Sequence, residues 1–242
     1  MLEAAFWGFV GGFALLVGAV VGLIWRIRPR VVGVVMAFGA GVLISAVAFE
    51  LVEESFESSG ALPVVLGLLA GALVFYVGDW ILDHRGGRDR KRSGGQQAGG
   101  AAGAIVLGAL LDGIPESAAI GVSLLAGGGV GVAVVAAVFL SNVPESLSAA
   151  VGLRKAGHSV RWILGLWLAV AVVSAAAAAV GYGLLGGASP TSIAVVQAFA
   201  AGAILTMLAD TMMPEGFEHA GNTVGLVTCA GFIAAFLLSH VV

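Results

Sequence analysis

Eight stretches of about 20 consecutive, predominantly apolar residues follow one another along this chain, separated by short polar or Gly/Pro punctuation. They lie near 4–25, 31–52, 62–82, 101–126, 130–152, 162–185, 191–213 and 222–242. Runs of that length match the hydrocarbon thickness of a bilayer, where every backbone N–H and C=O must find its partner inside the protein. The runs lack the alternation of a β-barrel strand, so each is expected to be a helix. With 60% hydrophobic and 10% charged residues and a mean hydropathy of +1.07, an ordinary soluble domain is excluded. Gly and Ala recur within the runs, for example at Gly39, Gly41, Gly67 and Gly71, and allow helices to pack closely in lipid. The start, M-L-E-A-A-F-W, has no basic n-region, so the first run is expected to be a retained span.

The basic residues fix an expected orientation. Arg26, Arg28 and Arg30 fall between spans one and two, and Arg85, Arg88, Arg90, Lys91 and Arg92 between three and four. Arg154, Lys155 and Arg161 fall between five and six, which completes the 11 basic residues of the chain. All share one side of an eight-span arrangement, and the positive-inside rule makes that side cytoplasmic. The expectation is a multi-pass protein of the cell (inner) membrane with both termini extracytoplasmic. Trp25, Trp80 and Trp162 suit the inner interface, Trp7 and Tyr182 the outer. The segment 83–100 is polar and glycine-rich and is expected to be a flexible cytoplasmic linker, with His84 simply solvated. A net charge of −3 gives no reason to expect a nucleic-acid partner, and the lone Cys229 gives no thiolate cluster.

Two internal repeats organise the chain. Ala37–Glu57 and Ala198–Glu218 align without gaps and share a terminal E-x-F-E. They lie in spans two and seven, which run in opposite directions. Spans four and five carry L-D-G-I-P-E-S from Leu111 and L-S-N-V-P-E-S from Leu140, again in opposite directions. The expected fold is therefore an all-α integral membrane domain over 1–242, with eight transmembrane helices in a 3+2+3 inverted-repeat arrangement. Residues 1–82 form the first three-helix repeat, 83–100 the loop, 101–152 the central pair and 161–242 the second repeat.

The P-E-S steps carry the candidate chemistry. Pro115 and Pro144 have no N–H for the helix ladder, so the carbonyls of Leu111 and Leu140 lose their usual partners just before a glutamate. Asp112 and Glu116 are four apart and share a helix face, and Ser141 and Glu145 repeat the spacing with Asn142 adjoining. If the two faces meet, three carboxylates and several neutral oxygens converge at membrane depth. Such a cluster would take up protons or hold a cation, and an all-oxygen shell suits hard or borderline divalent ions. The structural alternative is that Glu116 and Glu145 are protonated packing elements, with Asn142, Ser141, Ser117 and Ser146 satisfying kinked backbone. Further acids flank the site: Glu50, Glu53, Glu54 and Glu57 toward the outer face, and Asp210, Glu215, Glu218 and His219 toward the inner. They are either solvated helix ends or an electrostatic funnel. By position Glu50 and Asp210 lie deepest.

With these features the whole chain resembles the ZIP (Zrt-/Irt-like) metal transporters, in a divergent form of bacterial type. D-G-I-P-E-S and S-N-V-P-E-S stand where that family has H-N-x-P-E-G and H/Q-x-x-P-E-G. The resemblance implies movement of a divalent metal into the cytoplasm through a binuclear centre between spans four and five. It places Glu116 and Glu145 at the motif glutamates, Asp112 at the span-four histidine and Gly113 at its asparagine. Ser141 replaces the span-five histidine or glutamine, and Asn142 takes the next position. The run from Asp210 to His219 is similar to the acidic end of span seven in the family's bacterial branch. Span six lacks the acid that some members add to the second metal position, and both motif histidines are absent, which tilts the expectation toward an oxygen-preferring ion such as manganese.

The expected function is transport of a divalent metal cation (zinc, iron or manganese) by alternating access, the metal being substrate, with no organic cofactor. The spans contain no catalytic constellation, so no enzyme is expected. The bilayer and the cation are the expected partners, and a homodimer is compatible with the sequence. The alternatives are a proton-linked carrier of another substrate that uses the same glutamates, and a metal-binding member that does not transport.

Overall fold

The computed structural model describes residues 1–25, 27–90, 94, 102–126 and 131–241, with side chains for all of these but 102–105, 126, 240 and 241. Arg26, Lys91, Arg92 and most of the expected linker lie outside the described residues. The chain is all-α. The helices are α1 (Leu2–Ile24), α2 (Pro29–Ala46), α3 (Glu54–Ser59), α4 (Ala61–Leu82), α5 (Ala102–Ser123), α6 (Val132–Lys155), α7 (Val160–Leu185), α8 (Pro190–Met207), α9 (Met213–Ala220) and α10 (Thr223–Val241). Among the described residues, seven helical stretches are long and apolar enough to cross a membrane, and the Thr223–Ser239 part of α10 is a shorter apolar helix. This is the architecture of a multi-span integral membrane protein.

The spans start where local chemistry starts them. Pro29 and Pro190 open α2 and α8 at positions whose N–H has no helical partner anyway. Ser189 and Ser159 accept the Ser192 and Trp162 N–H groups at the starts of α8 and α7. Spans two and seven then outrun their expected ends. Each passes through a π-helical turn, Val47–Glu53 and Leu208–Met212, and continues as α3 or α9 to a glycine of positive φ, Gly60 or Gly221. The acids after position 50 and position 210 therefore ride on helix rather than on a frayed end.

The same devices recur 161 positions apart: Pro29 and Pro190, Val47 and Leu208 at the starts of the π turns, Gly60 and Gly221. The packing recurs as well. A Cβ on Gly41 would run into the Thr228 carbonyl of α10, and one on Gly231 into the Phe38 carbonyl of α2. In the other half, Gly202 faces the Leu68 carbonyl of α4 and Gly71 the Phe199 carbonyl of α8. Only glycine lets these backbones touch, and in lipid such close packing supplies much of the association energy.

Beyond α2 against α10 and α4 against α8, α1 packs on both α6 and α7, and α5 on α7. α6 is further covered by α2, and α5 by α8, whereas α5 and α6 touch each other only lightly. One buried core lies where α2, α6 and α8 meet, around Met36, Leu43, Val138, Ile204 and Met207. A second joins α1, α6 and α7 through Leu15, Leu153, Ile163, Trp167 and Val170.

Candidate functional site

α5 and α6 run unbroken through Pro115 and Pro144. Neighbouring hydroxyls bond back onto their own helices: Ser117 donates to the Gly113 carbonyl at 2.6 Å, Ser141 to Val138 at 3.0 Å and Ser146 to Asn142 at 2.8 Å. Asn142 donates from its side-chain nitrogen to the Gly11 carbonyl of α1 at 3.1 Å, and so ties the most enclosed helix to its neighbour. Of the expected neutral ligands, Ser141 and Asn142 are thus engaged with backbone. Asp112, Glu116 and Glu145 are almost fully buried, 2%, 1% and 3% exposed. Among the described residues, however, no three Asp, Glu, His or Cys side chains stand close enough together to hold a metal ion.

Asp112 has a cationic partner. The Arg90 guanidinium donates to both of its carboxylate oxygens, from Nε to Oδ2 at 3.1 Å and from Nη2 to Oδ1 at 3.2 Å. Nη2 also makes a short contact with Asp79 Oδ1 on α4, and Nη1 lies 3.7 Å from Asp83. The Arg90 stem crosses Gly108, where a Cβ would collide with it. Arg90 is 4% exposed, which differs from a solvated linker residue. The segment explains this placement. After α4 a π turn, Asp83–Gly87, carries the chain on to Gly86, whose φ is 90°, and the Arg90 N–H then closes onto the Gly87 carbonyl. The turn sends the arginine back toward α5 instead of outward. Burial works against its charge, but Asp112 and then Asp79 outweigh that, and the guanidinium pKa is raised above its ordinary value.

Beside this ion pair lies a cavity of about 330 Å³ lined by five carboxylates: Asp79, Asp83, Asp89, Asp210 and Glu215. Arg88 and Arg90 also line it. The acidic end of span seven therefore shares one end of the bundle with the connector between spans three and four, as the charge pattern requires. Asp210 is exposed and Glu50 half-buried, while Glu215 is 2% exposed. The continuation into α9 turns Glu215 inward against α6. There it accepts from Ser148 at 3.1 Å and sits 3.0 Å from His219 Nε2. Glu218 is exposed one position before His219.

The outer acids are less enclosed. Glu53 and Glu57 are exposed, and Glu54 accepts from the side-chain nitrogen of the buried Gln197 on α8 at 3.1 Å. Asp79 and Ser148 were not singled out by sequence. Asp79 had a usable signal, since it is the one acid within 62–82, and Ser148 lies one helical turn beyond Glu145. The burial of Arg90 had none, because it stands in a basic run that looks solvated. No protein-family model matches the chain, and no curated protein matches its sequence.

Proposed function

We propose that this protein carries a divalent cation across the membrane by alternating access, as the resemblance to ZIP transporters implies, with Glu116 and Glu145 as the carboxylates that meet it. The observation that carries this is the burial of both glutamates midway along apolar helices, each directly after a helix proline. Acids at such depth are costly and rare, and intramembrane carboxylates mark ion paths. The acidic cavity supports a route to one face. Its surplus of negative charge raises the local concentration of cations, whatever their chemical identity.

The repeated devices support the two-halved machine that alternating access needs. Spans two and three use the same prolines, π turns, terminal glycines and backbone contacts as spans seven and eight, and an odd difference in span number inverts one set relative to the other. In a 3+2+3 reading α1–α4 and α7–α10 form the two triplets around α5 and α6. Rocking of the halves would open the central carboxylates first to one face and then to the other. In this reading the acidic cavity faces the cytoplasm, and the basic residues of the connectors support that side by the positive-inside rule.

Purified protein in liposomes is expected to take up Mn²⁺ or Zn²⁺, and Glu116→Ala or Glu145→Ala to abolish uptake. Full uptake by both variants would reject this site. The proton-linked alternative has an observation of its own: Ser148, Glu215 and His219 form a hydrogen-bonded chain from buried α6 toward the cavity end. Uptake of no divalent ion, together with proton flux that His219→Gln slows, would select it.

A further inference from the structure

The Arg90 guanidinium occupies the place that a cation would take beside Asp112, and several features suggest that it can leave. It belongs to the connector rather than to a span, and the connector bends at Gly86, whose left-handed backbone conformation marks the hinge end of the π turn. Asp112 lies ten residues into α5, ~15 Å along the helix from Ala102, so the arginine reaches inward past the end of α4. Its stem rests on Gly108, the one residue type that leaves room for it. The cavity next to it offers Asp83 at 3.7 Å and, beyond, Asp89 and Asp210. A departing guanidinium would therefore exchange one carboxylate setting for another instead of entering lipid.

We infer that Arg90 is a tethered internal cation: in this conformation it neutralises Asp112 and closes the cavity end of the central site, and an incoming cation displaces it toward the cavity carboxylates. This regulates the site proposed above and rests on that proposal for what the incoming ion does next. The displacement itself requires only that a cation bind. A buried carboxylate needs a positive partner, and a tethered arginine supplies one at high effective concentration without closing the site permanently. A divalent ion reaching Glu116 brings the larger charge, weakens the hold of Asp112 on the guanidinium and releases the Arg90 side chain. Arg90 is thus a positioning residue of the closed state.

Limited trypsin digestion of the full chain, with cuts quantified by mass spectrometry, tests this. The ratio of cleavage after Arg90 to cleavage after the exposed Arg88 is expected to be low in the wild type and to rise several-fold in Gly108→Ala and in Asp112→Asn. Addition of MnCl₂ or ZnCl₂ alone should raise the wild-type ratio but not that of Glu116→Gln. In liposomes Arg90→Lys, which keeps the charge and loses the fork, should take up the ion faster than wild type. Equal cutting at both arginines in the metal-free wild type overturns the inference. So does a ratio that saturating metal leaves unchanged while uptake proceeds, because Arg90 is then a fixed strut. A metal-responsive ratio without uptake supports the displacement and removes the transport proposal. A ratio that does not respond and an absence of uptake together remove both.

Discussion

A carboxylate placed midway along an apolar helix forces the surroundings to respond, and in this chain the response to Asp112 is explicit. Asp112 recruits a guanidinium from outside the spans, with Asp79 as a second counter-charge. Glu145 is 3% exposed on α6. Removal of the shared cation is the costlier change. Arg90→Gln leaves the buried Asp112 and the partly buried Asp79 without it and should lower unfolding stability by about 3–5 kcal/mol, read by thermal denaturation in detergent. Asp79→Asn should cost less, because Asp112 keeps both of its bonds to the arginine. Asn142→Ala deletes one interhelical bond and should cost about 1 kcal/mol. Because the pKa of Arg90 is raised, its contribution is complete below the ordinary arginine value and fades only above it. The protection of Arg90 from trypsin should therefore not vary between about pH 6 and about pH 9.

At the scale of the element, proline did less than its reputation and glycine did more. Pro115 and Pro144 weaken a turn without interrupting α5 or α6. The interruptions lie instead in spans two and seven, as π turns that hold Glu50, Glu53 and Asp210. A π turn is wider than an α turn and re-aims every side chain after it, and for that reason Glu215 turns inward. The glycine contacts make a paired prediction. Gly41→Ala and Gly202→Ala should each overpack a helix pair, cost about 1–3 kcal/mol and reduce folded yield to a similar degree. Gly225→Ala, with no atom within 4 Å of the added methyl, should leave the yield unchanged. Unequal effects at Gly41 and Gly202 would argue against equivalent halves.

For the whole molecule the decisive property is polarity. One end of the bundle gathers Arg28, Arg85, Arg88 and the acidic cavity, and Glu54 and Gln197 stand near the other. With Cys229 replaced by serine, a single cysteine at Gly157 should react with a membrane-impermeant maleimide only from the cytoplasmic side, and one at Ser58 only from outside. Reaction of both from one side would break the eight-span topology and the inverted reading of its halves with it.

Much of this was readable without coordinates, because a bilayer leaves a sequence few choices. Runs of apolar residues near the length of the hydrocarbon must be helices, and punctuation near Pro29 and Pro190 marks where spans two and seven begin, whereas their continuation to Gly60 and Gly221 shows only in the structure. The E-x-F-E repeat identified spans two and seven as relatives, and the isolation of Glu116 and Glu145 in apolar sequence marked them as unusual. Which groups meet was decided only by tertiary structure. Local pattern cannot say that the chain after α4 folds back, so an arginine in a polar run looks solvated until Gly86 and Gly108 are seen to guide it to Asp112. Nor does helical spacing reveal that α5 and α6 barely touch, or that Glu215 faces Ser148. Those partnerships join residues far apart in the chain, and they exist because a buried charge must be balanced by whatever the packing of the helices brings within reach.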